Sequence, residues 1–120
     1  RPLALHAYWD EGIDHAKAAD AKGETNPERG TTSFEATTAR WSAEPRLTPS
    51  PESALNLDPL QWVKDGAKLA DQFVYTRDVQ DGYVPTPAYN ATQEELCRRE
   101  AVLGGSRLAA MLNRIFDAPK

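Results

Sequence analysis

His6 and Asp10 stand four residues apart in a run of good helix formers, so on an α-helix their side chains leave the same face one turn apart. An imidazole and a carboxylate so placed can share one divalent cation, and they make an ordinary zinc half-site. The same spacing is equally met by a surface hydrogen bond between the two. Glu11 and His15 form a rival pair. At ~3.6 residues per turn the pairs lie about 140° apart around the helix, so one ion cannot use both. Neither pair is a complete site, because zinc takes about three protein ligands even where it is catalytic. His6 and His15 are the only imidazoles in the sequence. The other donors must come from elsewhere. Cys97 is the single cysteine, which excludes a disulfide or a cysteine zinc cage within this sequence.

The element that positions the first pair is a helix expected over residues 3 to about 19, with Pro2 suited to its first turn and Gly12 as its weak point. From Lys22 to Glu52, Gly23, Pro27, Gly30, Pro45, Pro49 and Pro51 interrupt any apolar period. That composition predicts a loop-rich, flexible insertion over about residues 20–56, relieved by a short helix near Phe34 to Trp41. Asp58-Pro59 is a helix start, with the carboxylate capping free amides and the proline in the first turn. Leu60, Val63, Ala67, Ala70 and Val74, widened by Trp62, Leu69 and Phe73, predict a helix buried on a broad face. After the breakers Gly82, Pro85 and Pro87, Thr92 and Glu95 read as a capping box for a last helix. Ala101, Gly105, Leu108, Leu112 and Ile115 line one side of that helix, and Gly104-Gly105 suggests close approach of a neighbouring helix. Val74-Tyr75 and Tyr83-Val84 are too short and too near breakers to be strands. The fold class is all-α, with three principal helices.

At 120 residues the chain amounts to one modest domain or part of one. Its net charge of -4 lacks the basic footprint of most nucleic-acid binders, so phosphate attraction would fall to bound metal ions. No apolar run approaches the ~20 residues that span a bilayer. Arg98, Arg99, Arg107 and Arg114 alternate with Glu94, Glu95, Glu100 and Asp117, a pattern of paired charges on a solvated face. Asn90-Ala91-Thr92 fits a glycosylation sequon. Cys97 reads as a small buried hydrophobe, Trp9 as a core ring and Tyr8 as either a packing or a base-stacking ring. Trp41 is an anchor or a surface contact.

Two segments carry a resemblance. Leu5-His6-Ala7-Tyr8-Trp9-Asp10 is similar to the Leu-His-x-x-Trp-Asp segment of the class I (S-one/P-one type) zinc-dependent nucleases. Gly104-Gly105-Ser106-Arg107-Leu108-Ala109-Ala110-Met111-Leu112-Asn113 resembles the Gly-Gly-x-Arg-Leu-Ala-x-x-Leu-Asn ending of their last helix. Leu57-Asp58-Pro59 through Tyr75 resembles the Trp-containing helix between them, whereas Lys17 to Asn56 shows no useful correspondence. Ala4 departs from the Asn that the family commonly places there.

The resemblance implies that residues 1–120 are the C-terminal part of one helical domain of the phospholipase C and nuclease type, built around a trinuclear zinc cluster. It makes His6 and Asp10 ligands of a single Zn2+, with Tyr8 as a weak candidate for substrate binding and no catalytic residue beyond the metal ligands. Every other family ligand lies upstream, among them the amino group of an N-terminal Trp. This chain has Arg1 first, so by resemblance it lacks an N-terminal half, which is its expected partner, and is inactive alone. The implied activity is phosphodiester cleavage of single-stranded DNA or RNA to 5′-phosphates, with 3′-nucleotidase activity, in a secreted or periplasmic protein without membrane association. The related zinc-dependent phospholipases C usually carry Glu where this chain has Asp10, which favours the nuclease. A non-catalytic helical interaction module is the alternative from a different class, since broad apolar faces on a thin core suit it too.

Overall fold

A computed structural model describes residues 5–11, 34–80 and 82–117. Among them every regular element is helical: α1 (Leu5–Asp10), α2 (Phe34–Ala43), a 3-10 turn (Pro45–Leu47), α3 (Pro51–Leu55), α4 (Pro59–Leu69), a π turn continuing it (Ala70–Val74), and α5 (Pro87–Phe116). The all-α expectation holds. The stretch of the first helix beyond residue 11 lies outside the described residues, as does His15.

Three helices start by one device, a polar cap followed by proline. Ser50 Oγ accepts from the Ser53 amide, Asp58 Oδ1 from Leu60, and Thr86 Oγ1 from Tyr89, with Pro51, Pro59 and Pro87 next in sequence. Proline at a first helical position loses no intrahelical bond, because that amide has no partner in any case. Two expectations are corrected by this. Helix α5 begins at Thr86-Pro87 rather than at Thr92, whose hydroxyl instead donates to the Ala88 carbonyl one turn back (3.0 Å). The helix expected near Phe34 to Trp41 is α2, but the rest of residues 34–56 is less irregular than expected, because Pro45 and Pro51 start helical turns instead of ending them.

That segment holds much of the core. Trp41 on α2 and Leu47, only 2 % exposed, are buried against Ala101 and Val102 of α5, which makes Trp41 an anchor. Helix α3 packs on α5 as well. Arg107 joins the layers: its Nε donates to the Ser53 carbonyl on α3 (3.1 Å), and its guanidinium lies 5.2 Å from the centre of the Trp62 ring on α4. Trp62 Nε1 in turn donates to the Asn56 carbonyl (2.7 Å), fixing the ring at the α3–α4 corner. Arg107 is therefore a clamp rather than part of a solvated face, and Arg98 is also largely withdrawn from solvent beside Glu94. Cys97 is half-buried and desolvation pushes its thiol pKa up, in keeping with a small hydrophobe.

The broad faces of α4 and α5 depart from expectation. Val63 is 70 % exposed, and Leu60, Leu108, Leu112 and Ile115 are exposed too, because no described residue covers them. Among the described residues, no neighbouring helix comes within 4 Å of where a Cβ at Gly104 or Gly105 would sit. Gly105 lines an open cavity of about 570 Å³ with Trp41 and Val102. Gly82, at φ 84°, makes the turn before α5 in a conformation that L side chains rarely adopt.

Replacing Arg107 by Leu removes a charge-assisted hydrogen bond and a ring contact together. The expected loss is about 1–3 kcal/mol of unfolding free energy in urea titrations followed by tryptophan fluorescence. Arg114→Leu, at an exposed position, is expected to stay within about 0.5 kcal/mol of the parent.

Candidate metal centre

Helix α1 brings the predicted pair together. His6 Nε2 stands 3.0 Å from Asp10 Oδ2, one turn apart on the same face, with the two side chains 91 % and 63 % exposed. Both functional atoms are therefore directed at each other and open to further donors. Two ligands on a tetrahedral zinc, each at ~2.0–2.2 Å, lie about 3.4 Å from one another, so the pair would need to open only slightly to share an ion. Among the described residues no group of three or more His, Cys, Asp or Glu could hold a metal. The pair fits half of a zinc site and leaves the other half to be supplied.

The support beneath the pair is a set of contacts the sequence did not announce. Trp9 Nε1 donates to the Tyr89 hydroxyl (2.9 Å), and that hydroxyl donates to the Val74 carbonyl (3.1 Å). Tyr8 donates its own hydroxyl to Asn90 Oδ1 (2.5 Å), while Gln93 Nε2 donates to the Tyr8 carbonyl (3.2 Å). The rings follow suit: Tyr89 meets Trp9 edge-on at 6.0 Å, Tyr83 edge-on at 5.4 Å, and Tyr8 at 5.9 Å. Tyr89, Asn90 and Gln93 occupy about one turn of α5, so one patch of that helix holds both the ring pair and the backbone of α1.

Trp9 is half-buried rather than part of the core and packs edge-on against Tyr89, and Tyr8 is turned toward α5 with its hydroxyl engaged. Burial, followed by the neighbouring Tyr89 and Glu94, raises the Tyr8 pKa to about 12. The sequon residue Asn90 lies inside a helix with its side-chain oxygen occupied by Tyr8. The spacing of Tyr89 and Gln93 was the available signal for this patch, since residues four apart share a helix face.

A family model, S1/P1 Nuclease, matches residues 1–117. The chain belongs to the S1/P1 nuclease family. The match spans α1 through α5 and runs across residues 17–56, where the motifs alone gave no correspondence. Members are zinc-dependent nucleases, and an all-helical chain is consistent with the family's fold. No curated protein and no solved structure gives a significant match. No helix among the described residues is long and apolar enough to cross a membrane.

Tyr8 supplies an alkaline test of the packing. Its folded pKa lies above the unfolded value near 10, so its contribution to stability is complete below about pH 10 and is lost as pH rises through about 12. Ultraviolet titration of the four tyrosines is expected to show a late tyrosinate phase, shared with Tyr89 whose pKa burial also raises, that Tyr8→Phe diminishes. Four tyrosines ionising together near their ordinary value would contradict the packing.

Proposed function

We propose that this chain contributes His6 and Asp10 to one zinc ion of a phosphodiesterase acting on single-stranded nucleic acid. The observation carrying the reading is the imidazole–carboxylate pair at 3.0 Å on the exposed face of α1, in a chain matched by the nuclease family over residues 1–117. The finer activities follow from the same reading: cleavage to 5′-phosphates, removal of 3′-phosphates from nucleotides, and secretion to the cell exterior or periplasm.

The remaining zinc donors come from polypeptide beyond the described residues, packed on the uncovered faces of α4 and α5. Two features support this. The pair leaves room for further ligands on its open side, and the exposed Val63, Leu108 and Ile115 offer apolar surface for such a segment. Alone, the described residues hold half a site and would be inactive.

When bound, zinc supplies Lewis-acid chemistry: it lowers the pKa of water and offsets charge on the phosphate and the leaving oxygen. The chain's own residues hold and orient. Asp10 brings negative charge to the ion, His6 brings a neutral nitrogen, and Trp9 fixes the helix turn between them. With a net charge of -4, the chain supplies little attraction for phosphate by itself. We assign Tyr8 to holding α1 rather than to stacking a base, since its hydroxyl is committed to Asn90.

His6→Ala and Asp10→Asn are each expected to lower bound zinc and to reduce hydrolysis of denatured DNA by at least about a hundredfold, a loss that even outer-shell partners of a metal can produce. Duplex DNA and phosphatidylcholine should be poor substrates. Preferred hydrolysis of phosphatidylcholine would replace the nuclease reading by a phospholipase one, and unchanged zinc content in both variants would remove these residues from the site.

A further inference from the structure

Among the described residues, the pair on α1 is in contact with itself and is otherwise open to solvent. A helix of six residues is far below the length that is stable in isolation, and His6 and Asp10 are both exposed. Among the described residues, the contacts that hold α1 run through the residues between them, Tyr8 and Trp9.

Those two residues lead to a single point. The Tyr89 hydroxyl accepts from Trp9 Nε1 and donates to the Val74 carbonyl, so one oxygen ties the helix bearing the pair to the end of the π turn that closes α4. The π turn makes that carbonyl available. The Tyr75 amide bonds back five residues to the Ala70 carbonyl (2.9 Å), and Val74 is the last residue of the turn, where carbonyls go without intrahelical partners. A π turn inserted in a helix often marks a functional site, and here it aims an acceptor at the residue that holds α1.

We infer that Tyr89 is a positioning residue for the metal pair, its hydroxyl passing the placement of the Ala70–Val74 π turn through Trp9 to Asp10. The inference rests on the zinc reading above. It assigns Tyr89 no contact with metal or substrate. Tyr83 provides an internal comparison: it meets the same ring edge-on at 5.4 Å but contributes no hydroxyl to the link between Trp9 and Val74.

The test removes the hydroxyl and keeps the ring. In the zinc-loaded protein, Tyr89→Phe and Trp9→Phe are each expected to weaken zinc binding about tenfold in chelator competition, the lower end for residues that orient a metal ligand. The double variant should weaken it no further, because both changes break the same bond. The cobalt-substituted protein should show a changed visible spectrum in each. Tyr83→Phe should leave affinity and spectrum unchanged even where it shifts the unfolding midpoint. Should Tyr89→Phe lower the unfolding midpoint and leave zinc affinity and the cobalt spectrum intact, or should Tyr83→Phe match it, the positioning role is overturned. His6→Ala run alongside separates the two levels: if it too binds zinc normally, the zinc reading fails, and the inference with it.

Discussion

Among the described residues both candidate zinc ligands sit on a helix of six residues, a length too short to be stable in water by itself. Its stability is therefore borrowed, and the lender is one turn of α5. Tyr89, Asn90 and Gln93 reach it through a ring edge, a hydroxyl acceptor and an amide donor. Because Tyr8 and Trp9 face inward to meet them, His6 and Asp10 face outward. The orientation of the pair is the geometric complement of that packing, since side chains at positions 6 and 10 and those at 8 and 9 occupy different sectors of the same helix.

The same economy shapes the rest of the described structure. Long helix α5 serves as the common support: α1 lies on its first turns, α2 and the 3-10 turn on its middle through Trp41 and Leu47, and Arg107 fastens α3 and α4 to it. Each attachment uses few residues. Among the described residues little apolar surface is buried, and Val63 and Ile115 are left open.

Much of this was legible in the sequence. Helix type followed from the absence of any period-2 run, Asp58-Pro59 marked α4, and the four-residue spacing of His6 and Asp10 put them on one face. The errors share a physical cause. Pro45, Pro51 and Pro87 were read as breakers, although proline terminates a helix only from within and is well tolerated at its start. Apolar stripes on α4 and α5 marked faces that would gain from cover, but they stay exposed among the described residues, because a stripe does not name what covers it. Arg107 looked like one charge among several because its partners, a backbone carbonyl on α3 and the face of Trp62, are distant in sequence and leave no mark in local charge pattern. Tyr89 was hidden for the same reason, its two hydrogen-bond partners lying 80 and 15 residues away.

The proposed zinc ion is shared by one imidazole and one carboxylate on α1 with donors from outside the described segments. Anomalous diffraction at the zinc edge from crystals of the zinc-loaded protein tests it most directly. The account predicts a zinc peak within coordination distance of both His6 Nε2 and an Asp10 oxygen, with the remaining ligands contributed by other polypeptide. A zinc cluster assembled elsewhere, with His6 and Asp10 still facing only each other in solvent, would contradict it.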